Sequence, residues 1–263
     1  MITHKGQALA SVLLVTLLAG CSQNSNPNVR EKSIDTAPSP QAESMQDTSD
    51  RSAEASMQDA TESERLGTKW GDDVDSQVTQ VDLRRTSEDP IEEMQVSYAD
   101  KNYKGRALNS RSLIAGKIDF SVATDSGKLP LYREGGNYYL QGRSGDAYRL
   151  VYRNNSAKTY EIVASVDGLN VLDGSTASRY DDGYVLRPNG ELVIEGFRKS
   201  QSAVASFIFS KPDDAYAANT DSGSIENTGV IGTVIYELYD PTRSRSSSAQ
   251  AFPADDGYAK APK

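Results

Sequence analysis

The chain is nearly devoid of imidazole and thiol: 263 residues include one histidine, His4, and one cysteine, Cys21. A lone cysteine excludes an intrachain disulfide framework and any cysteine-based zinc cluster. Cations are also in deficit, with 28 Lys and Arg against 37 Asp and Glu and a net charge of −9. That balance argues against a nucleic-acid partner, because phosphate contacts need a Lys/Arg surplus. Neither G-x-x-x-x-G-K-[ST] nor G-x-G-x-x-G occurs, so there is no glycine-built phosphate cradle, and no cofactor is called for. Long apolar runs are missing too. The longest, Ala8–Ala19, is interrupted by Ser11 and Thr16 and falls short of the roughly 20 residues that span a bilayer as a helix.

What that run does fit is the apolar centre of an export signal, with Lys5 ahead of it and small residues behind. Leu18-Ala19-Gly20-Cys21 resembles the lipobox of bacterial lipoproteins. The resemblance implies cleavage between Gly20 and Cys21, a diacylglycerol thioether on Cys21, and acylation (palmitate) of the new α-amino group. Residues 1–20 are then the signal peptide, and the membrane is a partner through lipidated Cys21. Each buried CH₂ adds about 0.8 kcal/mol, so three chains hold far longer than one. Ser22 follows the cysteine; by analogy with enteric bacteria, the lack of Asp there points to the outer membrane, facing the periplasm. Removal of the signal would take His4 with it. The mature chain would then have neither imidazole nor free thiol, which excludes Ser–His–Asp and Cys–His catalysis and zinc sites built on those ligands.

Residues 22–66 contain no aromatic, and their large aliphatics are Val29, Ile34 and Leu66. Low hydrophobicity with excess negative charge cannot offset chain entropy, so residues 21–66 read as a disordered acidic tether. Within it Ser44-Met45-Gln46-Asp47 recurs as Ser56-Met57-Gln58-Asp59, a repeat that needs no more than duplication in a linker. Residues 241–263, rich in Ser, Ala and Pro, read as a flexible tail. Residues 67–240 lie between and hold most of the aromatics.

The pattern of that segment is β. Alternation of period two marks Val78–Leu83, Met94–Tyr98, Ile118–Val122, Tyr148–Tyr152, Tyr160–Val166, Tyr184–Leu186, Leu192–Ile194, Ala203–Phe209 and Val230–Leu238. Turn residues punctuate it: Gly135-Gly136, Asn154-Asn155-Ser156, Asp167-Gly168 and Pro188-Asn189-Gly190. The last predicts a hairpin with Gly190 at positive φ. Val230–Ile235 is apolar on both faces except at Thr233 and predicts a central strand covered on both sides. Short strands with frequent turns predict an all-β antiparallel sandwich, with a partly open barrel as the alternative. The stretches YEIVASVDGLNVLDG, GYVLRPNGELVIEGFRKS, AYAAN and GVIG, with Leu129-Pro130-Leu131-Tyr132 and the strand pair around 145–154, resemble a family of exported β-rich bacterial proteins of uncharacterised role. The resemblance spans roughly 116–238. It implies one β domain behind a variable tether and carries no activity, ligand or catalytic residue.

Carboxylates are the acid–base groups that remain, and Asp167, Asp173, Asp181, Asp182 and Glu195 crowd the best-marked region. Asp173, Asp181 and Asp182 could offer oxygens to Ca²⁺, but the regular D-x-D-x-D-G spacing is absent. Asp167-Gly168 and Asp173-Gly174 serve as turn closures without any metal. Eight tyrosines fall between 132 and 184; most suit strand packing. Tyr180, between Arg179 and Asp181 in a polar loop, has no alternation to bury it and is the candidate partner contact. The long loops 173–183 and 210–228 are where binding is expected.

Two function classes follow. One is a lipid-anchored, non-enzymatic envelope protein whose sandwich binds an envelope protein or glycan. The other is a carboxylate-dependent hydrolase of peptidoglycan or another envelope glycan, which needs two carboxyls about 5–9.5 Å apart across a cleft. The anchor makes its own prediction. Cys21→Ser removes the thioether acceptor and should leave an unprocessed precursor that takes up no fatty-acid label; labelling equal to wild type would refute the lipobox reading.

Overall fold

A computed structural model describes residues 60–241. Gly20, Cys21 and residues 242–263 lie outside the described residues, as does the expected tether up to residue 59. The strands are β1 (Gly67–Asp75), β2 (Arg84–Arg85), β3 (Glu92–Ala99), β4 (Arg106–Leu108), β5 (Arg111–Leu113), β6 (Ile118–Thr124), β7 (Gly127–Lys128), β8 (Leu131–Glu134) and β9 (Asn137–Gln141). They continue as β10 (Ala147–Asn154), β11 (Thr159–Val166), β12 (Leu169–Asn170), β13 (Tyr184–Leu186), β14 (Glu191–Ile194), β15 (Gly196–Arg198), β16 (Ala203–Ser210) and β17 (Val230–Tyr239). Among the described residues the only helical pieces are short 3₁₀ turns.

The strands form two sheets that do not close into a barrel, so the sandwich expectation holds and the barrel alternative falls. The first sheet runs β1-β16-β10-β6-β5, with β14, β15 and β7 added at its margins. The second runs β12-β11-β17-β3-β9-β8-β4, with β13 and β2 at its margins. Pairing is antiparallel throughout except for β3 with β9. Alternation sends Val96 and Tyr98 of β3, Ile162 of β11 and Ile231 and Ile235 of β17 inward, against Phe120, Tyr152 and Phe207 from the first sheet. Tyr148 stacks on Phe209 at 4.1 Å between centroids. Among the described residues every buried side-chain polar atom has a partner.

Four local expectations are corrected. The tether does not extend to residue 66: Arg65 bridges to Ala99 and Leu66 is 3% exposed within the core. Charge averaged over a long acidic window hides one leucine at its end. Val78–Leu83 is not a strand but the exposed connector from β1 in the first sheet to β2 in the second, while β1, Gly- and Asp-rich, lacks a legible pattern. Val230–Ile235 is central, as expected, yet covered on one side only: Ile231, Thr233 and Ile235 are buried, and Val230, Gly232 and Val234 are half-buried on the outer face. Thr233 faces inward because its hydroxyl meets the Tyr152 hydroxyl at 2.7 Å.

The Pro188-Asn189-Gly190 turn is also not a hairpin. It carries the chain from β13 in one sheet to β14 in the other, and Asn189, not Gly190, takes positive φ. The 154–156 crossing runs beside it. The Asn154 N–H donates to the Gly190 carbonyl at 2.9 Å, and the Asn189 N–H donates to that of Ser156 at 3.1 Å. The two crossings therefore satisfy each other's backbone groups.

Asp167-Gly168 closes the β11–β12 turn, both residues at positive φ. Its carboxylate turns inward instead of to solvent and is fully buried. One oxygen accepts from the Thr68 N–H at 2.6 Å; the other accepts from the Tyr98 hydroxyl at 2.6 Å, the Gly229 N–H at 2.8 Å and the Val230 N–H at 3.4 Å. The Thr68 hydroxyl lies 2.7 Å from the Tyr98 oxygen and 2.6 Å from that of Tyr148. With Asp167 ionised, each hydroxyl having one proton and Tyr98 giving its own to the carboxylate, the chain runs Tyr148 to Thr68 to Tyr98 to Asp167.

Burial raises the Asp167 carboxyl to about 7 against the pull of its four donors. The reference value is 3.8, so between these pH values the folded domain keeps a proton that the unfolded chain has released. The stability this adds is full below about pH 4 and is lost as pH rises through 7. Asp167→Asn cannot titrate and places an amide donor against the Thr68 or Gly229 N–H. It should cost about 2–3 kcal/mol and lessen the fall in unfolding midpoint between pH 5 and pH 8. Equal pH slopes in the two proteins would refute the assignment.

Candidate functional site

The outer face of the second sheet is built in rows by its register. Val163 of β11 lies opposite Val234 of β17, which lies opposite Glu93 of β3; one row on, Ser165, Gly232 and Gln95 line up in the same way. Two valines make an apolar strip beside a strip of small polar groups. Gly232 makes the difference in depth, since a Cβ there would stand 2.4 Å from the Ser165 Oγ. The result is a trough of about 390 Å³ along the middle of the sheet, with Ala177, Ser178 and Arg179 hanging over it.

Those three residues belong to the long segment between β12 and β13, which folds back over the sheet and is fastened at several points. The Ala177 N–H donates to the Gly168 carbonyl at 2.9 Å, and the Tyr236 hydroxyl donates to the Arg179 carbonyl at 2.8 Å. Arg85 of β2 is the principal rivet. Its Nε lies 2.7 Å from Glu161 Oε2, its terminal nitrogens donate to the Tyr180 and Asp181 carbonyls, and its guanidinium lies 3.8 Å above the centre of the Tyr236 ring. The other oxygen of Glu161 accepts from the Gly183 N–H at 2.8 Å. Burial works against the Arg85 charge, but the hydrogen bond and charge of Glu161, helped by Tyr236 and Asp182, outweigh it and raise the pKa. Burial likewise raises the Tyr236 phenol, which stays a donor.

Over the trough itself Arg179 Nη1 meets Glu93 Oε1 at 3.0 Å, with both side chains nearly half exposed. A pair so open to water is worth about 1 kcal/mol or less. It can part for an incoming group while the backbone around it stays pinned. The overhang is thus rigid at its base and yielding at its tip.

The sequence-expected residues fall as follows. Tyr180 is 66% exposed beside the trough, its ring free of any core role, and its N–H donates to the Ser178 hydroxyl at 3.2 Å. Asp173 closes an Asx turn on the Ser175 N–H and hydroxyl at 2.9 and 2.7 Å. Asp181 accepts from Asn170 Nδ2 and from the Ser178 N–H at 3.0 and 2.7 Å. These carboxylates serve separate turns, and among the described residues no group of three His, Cys, Asp or Glu side chains is placed to hold a metal. Among the described residues Glu93 is the only carboxylate lining the trough.

Sequence reading missed Arg85, Glu93 and Gly232. Arg84-Arg85 sits in an unpatterned polar stretch, and a glycine within an apolar strand carried the only signal. Arg85→Ala should cost about 2–3 kcal/mol, because it strands the buried Glu161 carboxylate and two loop carbonyls. It should also speed hydrogen exchange at Gly183 well beyond the global change. An unchanged midpoint with unchanged exchange would show that the loop is held elsewhere. No family model, curated protein or solved structure matches this chain.

Proposed function

We propose that this is a lipid-anchored protein of the bacterial envelope, non-enzymatic, whose sandwich binds a protein partner through the trough and its overhang. The observation that carries the reading is the combination of a pinned loop base, a weak Arg179–Glu93 latch and an exposed Tyr180 around one recess. Rigid aromatics beside desolvatable pockets concentrate binding energy. Val234, half-buried in the trough, offers apolar area, and Gln95 and Ser165 offer hydrogen bonds to an extended segment. Anchoring rests on the lipobox resemblance at Cys21, and the envelope location rests on the same residues. The hydrolase alternative would require a second carboxyl facing Glu93, and among the described residues that line the trough there is none.

Tyr180→Ala vacates no cavity and should change stability by less than about 0.5 kcal/mol. A photo-crosslinking side chain at position 180 should capture a discrete envelope partner in cells, whereas one at Val193, 39% exposed on the first sheet, should not. Equal capture from both positions, or marked destabilisation by Tyr180→Ala, would overturn this reading.

A further inference from the structure

Residues 101–133 carry seven Lys and Arg against two Asp, in a chain of net charge −9. Both acids are engaged: Asp125 pairs with Arg149 at 3.0 Å, and Asp119 accepts from Asn155 Nδ2 at 2.8 Å. Three of the seven, Arg106, Arg111 and Arg133, gather at one open edge of the sandwich, where β4 and β8 of the second sheet face β5 of the first. Register places Arg106 of β4 directly opposite Arg133 of β8, and Arg133 opposite Tyr138 of β9. The row lies on the same face as Leu131 and Leu140, two residues along, which are fully buried. It is therefore the rim of the core and not the outer surface.

Arg111 reaches across from β5. Its guanidinium carbon is 4.2 Å from the centre of the Tyr138 ring, with Arg133 at 5.9 Å from the same ring. Arg111 has Glu92 at 4.0 Å, and burial together with Arg133 lowers its pKa. Among the described residues neither Arg106 nor Arg133 has a carboxylate within ion-pair distance. Like charges directly opposite on paired strands are destabilising. The approach is deliberate in the backbone: Gly105, at φ +108, lies where a Cβ would stand 2.6 Å from the Arg133 carbonyl oxygen. Guarding the edge strand against aggregation would need a charge on β4, but not a second arginine facing it on β8.

We propose that this rim is a binding site for a phosphate group, gripped between the Arg106 and Arg133 guanidiniums with Arg111 and Tyr138 as its wall. Two forks of fixed geometry and two uncompensated charges suit a dianionic oxyanion better than a single carboxylate. Free phosphate and the headgroup of an anionic lipid present the same chemistry of recognition. The site is separate from the trough and stands or falls independently of it.

The test compares the full chain with Arg106→Gln/Arg133→Gln. In chloride the double variant should unfold at the same or a slightly higher temperature, since it relieves repulsion. Inorganic phosphate at tens of millimolar and matched ionic strength should raise the wild-type midpoint by about 3 °C more than the variant's. The difference removes the general stabilisation that phosphate gives any protein. Arg133→Lys, which keeps the charge and loses the fork, should forfeit most of the rise. Vesicles of phosphatidylglycerol in phosphatidylcholine, against phosphatidylcholine alone, separate the sources. Retention of wild type above the double variant identifies a headgroup, and retention equal in both, alongside the phosphate-specific rise, identifies free phosphate. Equal phosphate shifts in wild type and double variant, without differential retention on the vesicles, would overturn the site.

Discussion

Asp167 joins parts of the chain that nothing else could hold so economically. Its carboxylate lies in a tight turn of the second sheet yet takes N–H groups from Thr68 in the first sheet and from Gly229 and Val230 at the start of β17, with the Tyr98 hydroxyl from β3. These residues lie 62 to 99 positions away in sequence. The Thr68 and Gly229 N–H groups would otherwise be buried donors without a partner, a cost of about 1–3 kcal/mol apiece. One side chain thereby settles how the first strand enters the sandwich and where the central strand begins. The hydroxyl chain through Thr68 and Tyr148 extends that control to the aromatic stack on Phe209, so polar and apolar parts of the core specify the same arrangement.

The trough depends on the same fixed frame. β17 starts at the Asp167 node, and its register against β11 and β3 puts Gly232 between Ser165 and Gln95. A one-residue slip would send Thr233 outward and close the recess, while stranding the Tyr152 hydroxyl. The loop that overhangs the trough leaves from the end of β12, just after the Asp167-Gly168 turn; its Ala177 N–H is held by the Gly168 carbonyl and its far end by Arg85. What remains adaptable is the Arg179 side chain, whose half-exposed pair with Glu93 can part while the backbone stays pinned. That distribution of stiffness suits a recognition surface, because little ordering entropy is left to lose on binding.

The strands that alternate strongly, such as Tyr160–Val166 and Ala203–Phe209, were legible in sequence, since one face of each meets the core. Tyr180 was legible as an exposed loop residue for the complementary reason. Asp167 was legible only as a turn former: Asp-Gly announces a tight turn but says nothing of where the carboxylate points, and inward orientation is decided by partners more than sixty residues away. The same holds for Arg85, whose stacking on Tyr236 arises from strand order, and for Arg106 facing Arg133, which is a matter of register. Connections that change sheets defeat pattern reading in a related way. Val78–Leu83 alternates but builds no ladder beyond the Val78 N–H bond to the Gln201 carbonyl, and Pro188-Asn189-Gly190 has turn chemistry without a hairpin.

The charge distribution follows from this layout. The domain is acidic on balance, yet its cations are not spread evenly. Arg85 and Arg179 are spent on fastening the loop, each against one carboxylate, whereas the rim between β4, β8 and β5 concentrates arginines without enough acid to match. If the proposed anchor at Cys21 holds, the domain shares a surface with its partners, and linkage of that kind raises effective concentration. Neither the trough nor the arginine rim would then need high intrinsic affinity. A half-exposed latch such as Arg179–Glu93 and a rim open to solvent are weak devices in dilute solution, and they would suffice on a module held beside its partners.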